Sequence, residues 1–210
     1  HYKLATSLLT GSKEALEITR LFNKAGERAH EGAAYRNAIN YFREGIALLP
    51  TNPWGSHYAL SLSLHQNACE AAYSVASEKE ISEFGDPILN YAKDAIDRSR
   101  TYMIMILSLD SKSKVNEAMD MTIQALTDLG LPIKRKPGAA EVGVNLLKAK
   151  WKLRGIDSNY LLNLPPMTDK KAIAKMQIIY ASYSISYRAG LPTFYALTVL
   201  KSIFLSLKYG

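Results

Sequence analysis

The stretch AYRNAINYFREGIALLP, residues 34–50, decides how the rest of the chain is read. Ala38, Ile39, Phe42, Ile46 and Leu49 recur at helical spacing, so one face of a helix is apolar and has to be covered. Within it Ala38, Phe42, Gly45 and Pro50 fall at offsets 0, 4, 7 and 12, and Gly26 stands twelve residues before Ala38. A small residue in each of two helices lets their backbones approach, an aromatic fills the space between them, and a proline ends the second helix. The segment upstream supplies the partner. Ser12 is suited to cap a helix running to about His30, with Leu21, Phe22, Ala25 and Ala29 at helical spacing. Residues 12–50 therefore read as a helical hairpin.

Outward from the hairpin the same period continues. Asn52 and Pro53 read as N-cap and first-turn proline of a long helix through Trp54, Leu60, Leu64, Ala68 and Ala72. Asp86 and Pro87 repeat that signal for a helix carrying Leu89, Ala92 and Ala95, followed by Tyr102 to Leu109. After the polar stretch Asp110 to Lys114 comes Val115 to Leu129, stopped by Gly130 and Pro132. A basic connection then leads to a helix from Ala139 to Arg154 through Val142, Leu146, Leu147 and Trp151. Thr168 is a candidate cap for a helix from about Lys170 to Arg188, and Gly190 with Pro192 separates it from a last one. No stretch alternates with period two and no Asn-Gly or Asp-Gly turn occurs, so the expected class is all-α. Ala118, Thr122, Ala125 and Gly130 repeat the hairpin's offsets, with Tyr102 where the first large aromatic belongs. This is the spacing of a tetratricopeptide (TPR) repeat. It predicts one domain over 1–210, a right-handed superhelix of antiparallel helix pairs (an α-solenoid), with its clearest repeat at 12–50, a degenerate one at 99–132 and less regular pairs over 139–210.

Composition fits a packed helical chain. Of 210 residues 48% are hydrophobic and 21% charged, which excludes collagen-like and low-complexity disordered classes. Lys and Arg total 26 against 19 Asp and Glu, a net charge of +7 that suits an acidic partner without identifying one. Cys69 is the only cysteine, so an intrachain disulfide or a thiolate metal cluster cannot form, and a reducing, cytoplasmic setting is expected. No basic leader with a short apolar core opens the sequence, so secretion is not expected. Arg188, Gly190 and Pro192 interrupt the apolar run Met176 to Leu200, which predicts two buried helices rather than a membrane span.

Particular strings carry a resemblance. AYRNAINYFREGIALLP (34–50), NPW (52–54), EAAYSVA (70–76), EAMDMTIQALTDLGLPI (117–133) and LPPMTDK (164–170) occur in that order. The set resembles the helical region of very large signalling proteins in which a protein-kinase-like domain and a STAND-type AAA ATPase domain precede a TPR-like region, commonly followed by a GAF domain and a sensor histidine kinase. The closing TFYALTVLKSIFLSLKYG (193–210) is similar to the same region, which in that family continues into further helices. The resemblance spans nearly the whole chain. It implies a non-catalytic part of a signal-transduction protein whose ATPase and kinase activities lie in other domains. One departure stands out: only Ile96 to Thr101 separate Ala95 from Tyr102, where the family has a fuller helix, turn and helix. Either the turn is tight or two helices run on as one.

Motifs for catalysis are absent from the sequence. Gly11, Ser12 and Lys13 mimic the end of a phosphate-binding loop, but no glycine stands five residues before Gly11. His30 and Glu31 begin a zinc-protease pattern whose second histidine position is Ala34. His57 and His65 are two turns apart without a third ligand, no Gly-x-Ser-x-Gly elbow exists, and Cys69, with Ala68 and Ala71 close by on an apolar helix, reads as buried and inert. No cofactor, metal or catalytic residue is expected.

The expected role is a scaffold for protein or peptide partners, other domains of the same chain included. Polar residues on the first helix of each pair face the groove of such a stack, which places Arg20, Asn23, Glu27 and His30 on one groove face, with His57 and Ser61 on the next. Gly26, Ala38, Phe42, Pro50, Tyr102, Ala118 and Ala125 are the expected packing positions. Lys134, Arg135 and Lys136, then Lys148, Lys150, Lys152 and Arg154, form a basic region. A solvated surface is its default reading, ahead of an acidic protein partner and then of nucleic acid or anionic lipid. The rival function is a nucleic-acid-binding helical repeat of an ATPase-coupled transcription regulator. The apolar last helix, with Leu197, Val199, Leu200, Ile203, Phe204 and Leu205, is expected to leave an uncovered face open to self-association.

Overall fold

Hydrophobic period and caps together set the element order. The computed structural model describes residues 12–210, and the regular elements among them are helices. In chain order they are α1 (Lys13–Glu31), α2 (Tyr35–Ala47), α3 (Pro53–Ser56), α4 (Tyr58–Ser74), α5 (Glu78–Tyr91), α6 (Ala95–Ser111), α7 (Val115–Asp128), α8 (Ala139–Leu153), α9 (Ser158–Leu162), α10 (Lys170–Arg188) and α11 (Pro192–Tyr209). The protein is all-α over the described residues. No helix among them is long and apolar enough to cross a membrane. The chain divides into two compact units, one ending at Ser108 and the other covering Leu109–Gly210, so the boundary falls inside the 99–132 segment expected to be a single repeat.

In the first unit, elements adjacent in sequence pack together: α1 on α2, α2 on α4 and α4 on α5, with α1 also meeting α4. The expected cause is visible at Gly26. A Cβ there would lie 2.6 Å from Phe42 Cζ, so only glycine lets α1 close over the fully buried Phe42 ring. Gly45 does the same against Leu64 Cδ2 at 3.0 Å, and Gly85 of α5 abuts Thr101 Cγ2 at 3.1 Å. Ala38 and Tyr102 are buried, and Pro50 follows the end of α2 by three residues. On the other side of the hairpin, Arg43 donates to Glu80 (3.0 Å) and Glu83 (3.1 Å) while Arg36 donates to Glu80 (2.8 Å), tying α2 to α5.

The second unit is joined differently. Here α7 packs on α10, α10 on α11 and α11 on α8, so two of the three pairings are between elements distant in sequence. Ala118 and Ala125 are buried on α7. Tyr183 donates to Ser202 Oγ at 3.1 Å and ties α10 to α11. The last helix is covered: Leu197, Leu200 and Leu205 are buried and Val199, Ile203 and Phe204 are half-buried. The uncovered apolar face expected there lies instead on α8 and α9, where Val144, Leu147, Trp151 and Leu162 are exposed.

A repeated turn links both units to one plan. After α1, α4 and α6 the chain reverses through a non-glycine residue in the left-handed region: Ala33 (φ 58°), Ala76 (φ 53°) and Ser113 (φ 59°). The next amide in each case donates five residues back, Ala34 to Ala29 O (2.8 Å), Ser77 to Ala72 O (3.0 Å) and Lys114 to Leu109 O (3.0 Å). That bond satisfies a carbonyl left open at the helix end. Gly190 (φ 64°) makes the same turn between α10 and α11, with Leu191 donating to Ser186 O at 2.9 Å.

Several boundaries differ from expectation. Asn52 Oδ1 caps Gly55 N (3.3 Å) as expected, but the helix it opens ends at Ser56, and His57 (φ −134°, ψ 48°) breaks the path before α4. Pro87 does not start a helix; it lies inside α5, because Ile81, Phe84 and Ile88 keep an apolar stripe buried across it. The true start is Asp94, whose Oδ1 accepts from Ile96 N (2.8 Å) and Asp97 N (2.9 Å), so the turn before α6 is tight and comes earlier than Ala95. Tyr58 pins it from α4, accepting from Lys93 N (2.8 Å) and donating to Asp97. At α10 the cap is Asp169, accepting from Ala172 N at 2.6 Å, rather than Thr168.

Candidate functional site

Three helices bring polar side chains to one cleft of about 190 Å³ in the first unit. Glu27, His30 and Glu31 come from α1, Asn67 and Glu70 from α4, and Arg100 from α6. They converge because polar residues recur at one-turn and two-turn spacing on otherwise apolar helices: Asn23, Glu27 and His30 on α1, and Ser63, Asn67 and Glu70 on α4. A hydrogen-bonded cluster joins the two. Asn67 Nδ2 donates to Glu27 Oε1 (3.1 Å) and Asn23 Nδ2 to the same oxygen (2.9 Å) and to Ser63 Oγ (3.3 Å). Arg100 is ion-paired with Glu70 across α4 and α6.

The cleft is unbalanced in charge and not fully satisfied. Three carboxylates face one guanidinium, and His30 Nε2 is shielded from solvent without a hydrogen-bond partner while its ring packs edge-on to Tyr35 at 5.2 Å. Glu27 already spends one oxygen on two amides, which fixes its rotamer and points the carboxylate inward. Such a constellation holds amino or guanidino groups well. Among the described residues no group of three or more His, Cys, Asp or Glu side chains is arranged to hold a metal ion.

Of the residues placed on the groove by sequence, Asn23, Glu27 and His30 are brought together, and Arg20 stands exposed one turn earlier. His57 and Ser61 are not part of it. His57 sits in the break before α4 with Nδ1 at 2.9 Å from Ser56 Oγ, and Ser61 is buried, donating to His57 O at 3.0 Å. From α4 the cleft is reached instead by Asn67 and Glu70, with Ser63 beside them accepting from Asn23. Arg100 has no signal in the sequence, because the start of its helix at Asp94 carries no proline to mark it.

The other chemical candidates settle into the packing. Cys69 is buried with its thiol pushed up to about 12, chiefly by burial and then by the charge of Glu70, so it holds its proton at neutral pH. His65 is buried beside Trp54 (5.1 Å), Nδ1 at 2.8 Å from Ser61 O, and burial lowers its basicity. Ser12 caps Ala15 N at 3.0 Å, while Gly11 lies outside the described residues.

Comparison with protein-family models, curated proteins and solved structures finds no match.

The basic region is split. Arg135 pairs with Asp120 and donates to Asn116 Oδ1 (2.6 Å), which satisfies it within the second unit, and Lys134 and Lys136 are exposed beside it. Lys148 and Lys152 belong to a different place, a groove between α8 and α11.

Proposed function

We propose that the chain is a non-catalytic, TPR-like helical scaffold whose first unit receives a basic segment of a protein partner or of a neighbouring domain. The observation that carries this is the cleft of Glu27, His30, Glu31, Asn67, Glu70 and Arg100, built from α1, α4 and α6. The turn repeated at Ala33, Ala76 and Ser113 supports the repeat reading, since one backbone solution recurs with the same hydrogen bond. A right-handed superhelical stack and a cytoplasmic setting belong to this proposal, as does the parent implied by the sequence resemblance, a large signalling protein with ATPase and kinase domains. In such a protein the scaffold would bias a conformational equilibrium by binding one state better than the other.

The test is a peptide array graded from acidic to basic, probed with the 210-residue protein. Retention on lysine- and arginine-bearing peptides is expected, and it should be lost when Glu27→Gln and Glu31→Gln are combined. Retention on neutral or acidic peptides alone, or no change in the double variant, would overturn the proposal.

A further inference from the structure

The groove between α8 and α11 is a second surface, opposite in sign to the cleft of the first unit. Lys148 and Lys152 stand one turn apart on α8, Lys201 and Lys208 two turns apart on α11, and between them lie Trp151, Phe204 and Leu207 around a groove of about 670 Å³. Little on these two helices opposes the charge. The α11 sequence has no carboxylate and α8 has only Glu141, in its first turn. Among the described residues none of the four ammonium groups is ion-paired: Lys201 donates to Asn145 Oδ1 at 3.3 Å, and Lys208 lies over the Tyr209 ring at 4.8 Å and hydrogen-bonds to that side chain, with Asp169 a lesser influence.

The groove continues into an apolar stripe. Val144, Leu147 and Trp151 succeed one another at helical spacing along α8 and are 50%, 68% and 76% exposed, with Trp151 common to stripe and groove. An isolated exposed leucine needs no explanation, but a row of three large apolar side chains bordered by lysines without a carboxylate partner is the pattern of a docking face. Phosphates would use the lysines and leave Val144 and Leu147 in water. A helix with apolar residues on one side and carboxylates on its flank uses both, burying its apolar side on Leu147 and Trp151. Lysine, a compact charge on a flexible stem, suits scattered carboxylates better than planar bidentate recognition.

We propose that this groove docks an acidic amphipathic helix of a protein partner, with its apolar residues against Val144, Leu147 and Trp151 and its carboxylates toward Lys148, Lys152, Lys201 and Lys208. The site is independent of the cleft in the first unit, and either can fail without the other.

The probe is a synthetic peptide of about four helical turns, with leucines on one face and glutamates on its flanks. Its comparators are a scrambled peptide of the same composition, a single-stranded oligonucleotide and vesicles of anionic phospholipid, each titrated calorimetrically into the 210-residue protein. The amphipathic peptide should bind, and the scrambled one should bind at least about tenfold more weakly. Lys148→Glu with Lys152→Glu, and separately Trp151→Ala, should each weaken the peptide by about tenfold or more, whereas Glu27→Gln should leave it unchanged. These side chains are exposed, so circular dichroism of the variants should match the parent. Equal binding of the scrambled peptide, tighter binding of oligonucleotide or vesicles, or undiminished peptide affinity in both variants would overturn the proposal.

Discussion

The two units solve the same problem, covering amphipathic helices, by different means. In the first, neighbours in sequence press together where a glycine meets a large side chain: Gly26 on Phe42, Gly45 on Leu64, Gly85 on Met105. In the second, Gly138 and Gly143 have nothing within 4 Å of a Cβ position, and helices distant in sequence, α7 with α10 and α8 with α11, cover one another instead. Close backbone approach leaves a spacing signature in the sequence. Long-range pairing through ordinary apolar side chains leaves none.

The difference is open to attack, most forcefully at Phe42. Truncating this fully buried ring opens a cavity that the close-packed hairpin cannot collapse, so Phe42→Ala should lower stability by about 3–5 kcal/mol in chemical denaturation. An unchanged midpoint would mean that the Gly26–Phe42 contact does not hold the hairpin.

Glycine to alanine should split by unit. Gly26→Ala forces a methyl group into the Phe42 ring and should destabilise by about 1–3 kcal/mol. Gly143→Ala meets open space inside α8 and should stabilise by about 0.4–1 kcal/mol. Equal signs in thermal melts would erase the contrast between the units.

The repeated turn offers a smaller, reciprocal test. Ala33 and Ala76 occupy left-handed backbone that glycine adopts without strain, so Ala33→Gly should gain about 0.5–1 kcal/mol. Gly190→Ala should lose about as much. Both are read from denaturation midpoints.

Acid should act as a slope rather than a step, and on the first unit. Burial lowers the His65 imidazole below its ordinary 6.5, against a hydrogen bond with the Ser61 carbonyl that raises it. As pH falls through 6.5 the unfolded chain takes up a proton that the folded one refuses, so stability declines from there down to the folded value. At lower pH Glu80 adds to this. Burial raises its carboxyl, but hydrogen bonds from Arg43 and Ser77 and the charges of Arg36 and Arg43 outweigh it and leave the group below 4.5. Its stabilisation is complete above 4.5 and is lost as pH falls through the folded value. Melting temperatures followed across this range should flatten near neutrality in His65→Gln.

Legibility in the sequence follows the same division. The apolar period marks the longer helices, and the repeat offsets pick out Gly26, Ala38 and Phe42. Proline misled twice: Pro53 opens only a short helix, and Pro87 is carried inside α5 because Ile81, Phe84 and Ile88 bury enough to override a lost hydrogen bond. Each residue turns a helix by about 100°, so on α4 Ser61 lies far round from Asn67 and is buried, while Asn67 and Glu70 reach the cleft. The polar run Ser63, Asn67, Glu70 was a readable signal. Lys201 and Lys208 were not readable as partners of Lys148 and Lys152, because nothing in local spacing says that α11 returns to α8.

The two tryptophans fall one to each unit, and their surroundings make them separate optical reporters. Trp54 stacks on Tyr91 with ring centroids 5.9 Å apart and packs on His65 at 5.1 Å, so it is half-buried beside an imidazole that burial keeps neutral. Trp151 stands in water, red-shifted and collisionally accessible. Iodide therefore reaches Trp151 first in the folded protein, and the red shift of the remaining emission on denaturation follows the first unit, with no label attached.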